Sequence, residues 1–249
     1  MTFDTLEIAM LLAGALLGGF VSGLTGFGLA LTAIPLWLLV ASPPLVAALA
    51  TASSVISQAQ TFHLVWRHIE WRRISWFVLP GLAGVPLGTI ALPLIDIRMF
   101  KLGVGIVLIV YCVFQFAAQR LATLGLSSEQ GRAADMAIGF GGGVMGGLAG
   151  LSGPLPIAWA TFKPWSRDQK RALYQVFNLS ILLTAFCSIA ASGLLPSGFG
   201  IALALSIPAT VVGARLGSAL YRRLDDRRFD RVVTALLLVT GVALVLMSW

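Results

Sequence analysis

Two short runs of the chain carry residue types that could hold a small oxyanion. Gly23, Thr25, Gly26, Phe27 and Gly28 form one, and Gly150, Leu151, Ser152, Gly153 and Pro154 form the other. Each interrupts an apolar stretch. A helix broken at such a point leaves backbone N–H groups unsatisfied at the positive end of its dipole, and the two together attract anions. Glycine lets the backbone approach a ligand closely, while Thr25 and Ser152 add hydroxyl donors. Two opposed tips could therefore cradle an oxyanion without a lysine. Small-residue helix packing is the competing reading, and it is preferred for Gly14, Gly18, Gly84, Gly88, Gly213 and Gly217. A dinucleotide fingerprint is excluded, because no βαβ pattern surrounds these glycines.

A second polar set lies in the third apolar segment of each half of the chain. Thr51, Ser53, Ser54 and Gln58 belong to the first, and Gln175, Asn178 and Ser180 to the second. The spacings 51, 54, 58 and 175, 178 place each set on one helical face. Buried polar groups need partners, so these faces should meet a cavity or each other, with packing between helices as the alternative. His63 and Arg215 are the ionisable groups read as lying well inside apolar runs. His63 sits beside a basic loop and reads as interfacial. Arg215 either snorkels to the headgroups or attracts anions in a vestibule. The site is thus expected to use mainly backbone and neutral donors, with Arg215 as its charged member. No proton relay is evident, so transport could run on the membrane potential, with proton coupling left open. No catalytic residue, metal ligand set or cofactor motif stands out. Cys112 and Cys187 show no metal or disulfide spacing. The acidic group Asp225, Asp226 and Asp230 sits among five arginines and reads as a solvated turn.

The elements that must position these residues are helices in a bilayer. Hydrophobic residues make up 58% of the 249, charged residues 11%, and mean hydropathy is +0.92. Soluble domains carry about 25% charge, so an ordinary cytosolic enzyme and a disordered chain are excluded. The net charge of +7 comes from short loops rather than one continuous face, which argues against a nucleic-acid partner. Apolar stretches fall at about 6–22, 28–41, 44–65, 74–95, 102–118, 134–148, 154–162, 172–192, 198–221 and 232–248. The shortest cannot cross a core about 30 Å thick. Each glycine-joined short pair therefore reads as a broken or re-entrant hairpin. With both termini outside, every Lys and Arg except Arg98, Lys101 and Arg215 falls on the cytoplasmic side. Trp66, Trp71, Trp76 and Trp165 lie beside basic loops, as an interfacial aromatic belt would. No basic n-region precedes the first apolar run, so no signal peptide is expected there.

The chain repeats itself. Gly18, Gly19, Gly23, Leu24 and Gly26 match Gly142, Gly143, Gly147, Leu148 and Gly150 at an offset of 124. At an offset of 129, Gly84 and Gly88 match Gly213 and Gly217, and Arg98 and Phe100 match Arg227 and Phe229. Two five-segment repeats are expected, 1–118 and 134–249, joined by a cytoplasmic connector at 119–133. Corresponding loops differ in charge: 66–73 is basic and 193–197 uncharged, while 163–171 is basic and 42–44 uncharged. The halves are therefore expected to be inverted, an all-α architecture of secondary transporters with a midplane site.

The segments SGLTGFGLALTAIP and GGLAGLSGPLPIA resemble the duplicated motif of the sulfite exporter TauE/SafE family. So do PPLVAALATASSV and the paired GVPLG and GARLG, and the resemblance spans nearly the whole chain. It implies a small multi-pass transporter of the bacterial inner membrane that moves sulfite, sulfoacetate or related organosulfonates. Phe27 stands where many members have glycine, which would narrow the first tip. The partners implied are a small-molecule anion and the lipid bilayer, and a homodimer is left open. The rival readings are an anion channel or uniporter and an intramembrane enzyme acting on a lipid phosphate.

Overall fold

A computed structural model describes residues 3–91, 94, 96–118, 128–160, 163, 165–193, 195–223, 225–246 and 248. Among these the elements are all helical: α1 (Thr5–Thr25), α2 (Leu29–Trp37), α3 (Pro43–Thr61), α4 (Trp71–Ala91), α5 (Ile97–Ala118), α6 (Ser128–Ala149), α7 (Pro154–Ala160), α8 (Arg167–Ala191), α9 (Phe199–Tyr221) and α10 (Asp226–Leu246). Two short 3-10 turns, Phe62–Leu64 and Trp66–His68, follow α3. The ten helices reproduce the ten apolar stretches. Polar residues set their ends. Asp4 and Glu7 form a capping box on α1, as Ser166 and Gln169 do on α8, each satisfying orphan N–H groups. Of the connector expected at 119–133, residues 119–127, including Arg120, lie outside the described residues, and 128–133 are already helical. Hydropathy marks where a helix enters an apolar environment, not where it begins.

Both short pairs fold back on themselves. Gly14 approaches Trp37, Gly18 approaches Leu29 and Ala33, and the Trp37 indole donates to Leu11 O at 3.1 Å, so α2 returns along α1. Gly142 approaches Ser152, Gly141 approaches Leu155, and the Trp159 indole donates to Asp135, so α7 returns along α6. An indole thus ties the open end of each hairpin to its first helix.

The halves embrace each other. α1 packs most extensively against α9, and its counterpart α6 against α4. The sequence offsets recover these contacts residue by residue. Gly213 meets Leu16 O and Gly217 meets Phe20 O, while Gly84 meets Phe140 O and Gly88 meets Val144 O. Gly19 meets Thr210 O and Gly23 meets Ala214 O, while Gly143 meets Gly81 O and Gly147 meets Val85 O. The packing role expected of Gly14, Gly18, Gly84, Gly88, Gly213 and Gly217 is what the structure shows. Matched helices also meet across the halves. Gly105 abuts Gly241 and Val245, and Cys112 Sγ donates to Thr234 O at 3.5 Å, so α5 and α10 run antiparallel.

The molecule exposes large apolar residues and buries a set of polar ones within its hydrophobic core. Leu17, Leu79, Leu87, Ile90, Val212 and Leu216 are exposed, whereas Ser22, Thr51, Ser53, Ser57, Gln58, Gln175 and Asn178 are buried. Among the described residues, α1, α4, residues 168–191 of α8, and α9 are long and apolar enough to cross a bilayer. Exposed Leu and Val on such helices suit lipid rather than water. The basic segments gather at one end. Gln169 Nε2 donates to Glu70 Oε1 at 2.6 Å and Tyr221 Oη to Asp168 Oδ1 at 2.6 Å, while His68 Nε2 lies 3.9 Å from Asp168 Oδ2. Lys163 pairs with Asp135 at 2.9 Å, and the Arg132 guanidinium lies 5.9 Å from the Trp76 ring centre. The 66–73 loop, the starts of α6 and α8 and the end of α9 therefore share one face. Of the cluster around Asp225, the side chains of 226–230 lie outside the described residues.

Candidate functional site

One face of α8 joins the two glycine tips. Arg171, Gln175 and Asn178 are spaced i, i+4, i+7, so their side chains line one stripe. Arg171, fully buried, reaches the first tip: Nη1 donates to Leu24 O at 3.0 Å and Nη2 to Gly23 O at 2.8 Å. Its guanidinium carbon lies 3.8 Å from the Tyr221 ring centre. Gln175 reaches across to α3, donating from Nε2 to Gln58 O at 2.8 Å and to Thr61 Oγ1 at 2.9 Å. Asn178 reaches the second tip, where its Oδ1 accepts a hydrogen bond from Ser152 Oγ. Seven residues of helix put the two ends of this stripe about 10 Å apart. α3 runs the opposite way beside it, since Gln58 and Thr61 meet Gln175 while Thr51 meets Gly150 of the second tip.

The tips are built alike. Gly26 has φ 83° and its N–H donates to Ser22 O at 2.8 Å. Gly150, at the matching position, has φ 66° and donates to Gly146 O at 2.9 Å. Both close their helix in the left-handed conformation, which L side chains adopt only at a cost. A Cβ on Gly26 would sit 3.1 Å from Arg171 Cγ, and one on Gly150 3.0 Å from Thr51 Oγ1. Gly28, with φ 88°, opens α2 with no side-chain cap on the following N–H groups. Those amides belong to the buried residues Leu29, Ala30 and Leu31.

Other expected donors are differently employed. Thr25 Oγ1 lies 2.7 Å from Phe27 O and 2.9 Å from Val21 O, and accepts from Phe27 N at 3.2 Å; it braces the tip itself. Phe27 is buried edge-on to Tyr174, with ring centres 5.6 Å apart. Leu151 and Ser54 are buried, and Thr51 Oγ1 donates back to Ala47 O at 2.6 Å. Gly153 lies beside Asn178, a Cβ there falling 3.5 Å from both amide heavy atoms. Gly23 packs against Ala214 while lending its carbonyl to Arg171. Arg215 stands on the exposed face of α9 with Val212 and Leu216, turned away from the buried Gly213 and Gly217.

Several buried polar atoms hold no protein hydrogen bond: Asn178 Nδ2, Gln175 Oε1, Gln58 Oε1, Ser53 Oγ and Ser57 Oγ. These five belong to α3 and α8, the two helices that carry the stripe and its neighbour, and Ser22 Oγ on α1 and Ser206 Oγ and Thr210 Oγ1 on α9 are likewise without a protein hydrogen bond. Such atoms cost about 1–3 kcal/mol each if left unmet, so they mark where a polar guest or water is favoured.

Sequence patterning misplaces Arg171. It stands next to Lys170 at the edge of an apolar run and reads as a loop cation, yet it is a buried helix residue at the first tip. The structure thus adds a buried cation to the neutral donors expected there. Its spacing from Gln175 and Asn178 is the signal that could have found it. Asp135, almost fully buried and bonded to Lys163 and Trp159, is likewise missed.

A helical bundle with an apolar exterior, two folded-back hairpins and a polar stripe between their tips is a multi-pass membrane protein. Its relatives are identified by one match: the family model described as sulfite exporter TauE/SafE covers residues 10–244. The chain belongs to that family of membrane anion exporters. No match emerged among curated proteins or among solved structures.

Proposed function

We propose that the protein exports small sulfur oxyanions, such as sulfite, sulfoacetate or other organosulfonates, across the bacterial inner membrane. The observation that carries this reading is the α8 stripe. One helical face ties a buried cation at the first tip to an amide donor at the second, from positions seven residues apart on α8. The uncapped start of α2 and Asn178 Nδ2 supply neutral donors between them. An oxyanion needs this mixture of charge and directed N–H groups.

The hairpins re-enter the membrane, and the halves are inverted repeats that alternate access to the site between them. Antiparallel pairing of α3 with α8 and of α5 with α10 supports inversion, since matched helices related by an axis in the membrane plane must run oppositely. The shared basic face is the cytoplasmic one by the positive-inside rule, which leaves both termini in the periplasm. An inside-negative potential then drives each anionic charge outward with about 2.3 kcal/mol per 100 mV.

Flux of radiolabelled sulfite and sulfoacetate from proteoliposomes tests this reading. Counterflow-stimulated, saturable efflux is expected. Wild-type protein that moves no member of a panel of sulfur oxyanions overturns the substrate class, and fluxes far above about 10³ per second without counterflow replace the carrier by a channel.

A further inference from the structure

Arg171 is a costly residue to bury, and its surroundings show why it is retained. A guanidinium removed from water needs compensation. Here two carbonyls at the C-terminus of α1 provide it, where the helix dipole concentrates partial negative charge, together with the face of Tyr221. The tyrosine is in turn anchored, its hydroxyl donating to Asp168 at 2.6 Å, and Asp168 lies three residues before Arg171 on the same helix. Gly26 lets the arginine stem pass, since a Cβ there would meet it at 3.1 Å. A bare helix C-terminus repels anions. A guanidinium laid across the same carbonyls adds positive charge at that tip. The matching position in the first half is Ala47, at the offset of 124, so the charge is a property of one tip and not of the repeat.

We propose that Arg171 is the specificity-determining counter-charge of the anion site, setting its preference for doubly over singly charged oxyanions. Tyr221 and Asp168 are positioning residues that hold the guanidinium at the first tip. The inference rests on the anion-export reading and adds to it the residue that senses anion valence. Neutral donors such as Asn178 and the α2 amides contact oxygens whatever the total charge. A fixed cation instead gains with each added negative charge, so its removal must change the ratio of affinities and not only their level.

The test measures binding of sulfate and of methanesulfonate to the purified full-length protein in lipid nanodiscs. The two probes are similar in shape and differ by one charge. Arg171→Gln is expected to weaken sulfate binding about tenfold more than methanesulfonate binding, and Arg171→Lys to restore most of the wild-type ratio. A purely structural cap would lower both affinities together. Should Arg171→Gln fail to fold, Tyr221→Leu, which removes the ring and keeps the cation, is expected to shift the ratio in the same direction by about two- to fivefold. Tyr221→Phe, which removes only the bond to Asp168, is expected to shift it less. Wild-type binding with an unchanged ratio in Arg171→Gln, or in Tyr221→Leu where the first does not fold, overturns the role of Arg171 alone. Wild-type protein that binds neither probe overturns the anion reading as well.

Discussion

Replacing Gly217 by alanine tests the packing between the halves directly. A Cβ at Gly217 would lie 1.9 Å from Phe20 O and 2.8 Å from Leu24 N, both backbone atoms that cannot rotate away. Bringing the nearer contact to 3.4 Å, the start of ordinary van der Waals distance, opens the α1–α9 gap by about 1.5 Å. Overpacking of this kind costs about 1–3 kcal/mol, and every neighbouring contact along the two helices weakens as they part. At Gly200, on the same helix, an added Cβ would meet nothing within 4 Å, so alanine there gains up to about 1 kcal/mol of helix propensity. Both substitutions gain helix propensity, so the two variants should differ by the overpacking cost, about 1–3 kcal/mol. At about 2–4 °C per kcal/mol for a chain of this size, Gly217→Ala should melt roughly 2–12 °C below Gly200→Ala. Tryptophan fluorescence during heating in a mild detergent reads the difference. Gly88→Ala, whose Cβ would lie 2.1 Å from Val144 O, should fall with Gly217→Ala. Melting of Gly217→Ala within about 1 °C of Gly200→Ala would refute the argument, because the loss follows from contact with a fixed carbonyl.

Gly26→Val and Gly150→Val each force a branched side chain into a left-handed residue, at φ 83° and 66°, and should abolish sulfite efflux while Western blots show near-normal protein. Ser152→Ala removes the donor to Asn178 Oδ1 and should weaken sulfate binding in nanodiscs by about five- to tenfold, about 1 kcal/mol. Single cysteines at Arg72 and Arg222 should react with an impermeant maleimide only from the cytoplasm, and one at Gly193 only from the periplasm. Labelling of Arg72→Cys from outside would reverse the proposed orientation.

Much of this fold is legible in the chain itself. Ten apolar stretches become ten helices because a bilayer core selects continuous apolar runs, and offsets of 124 and 129 between glycines recover the reciprocal contacts of α1 with α9 and α6 with α4. The glycine tips stand out because only a few residue types permit such a break. Arg171 escapes because hydropathy averages over neighbours. Beside Lys170, its charge marks the edge of a segment, and only the folded helix shows it turned inward with Gln175 and Asn178. Thr25 escapes differently: a hydroxyl in a tip reads as a donor to a ligand, yet the carbonyls of Val21 and Phe27 claim it first. Which polar atom serves structure and which remains available depends on distances of tenths of an ångström, and spacing in a sequence does not record those.

The reciprocal clamp between the halves also bears on biosynthesis. α1 leaves the ribosome well before its principal partner, α9. Until α9 enters the bilayer, the small-residue face of α1 that carries Gly19 and Gly23 lacks the helix it fits. The first hairpin must therefore wait in lipid or beside the insertion machinery while the intervening helices are made. A chain severed in the connector would leave both fragments with an unfilled groove, each complementary to the other, so coexpressed halves should find one another without a covalent link.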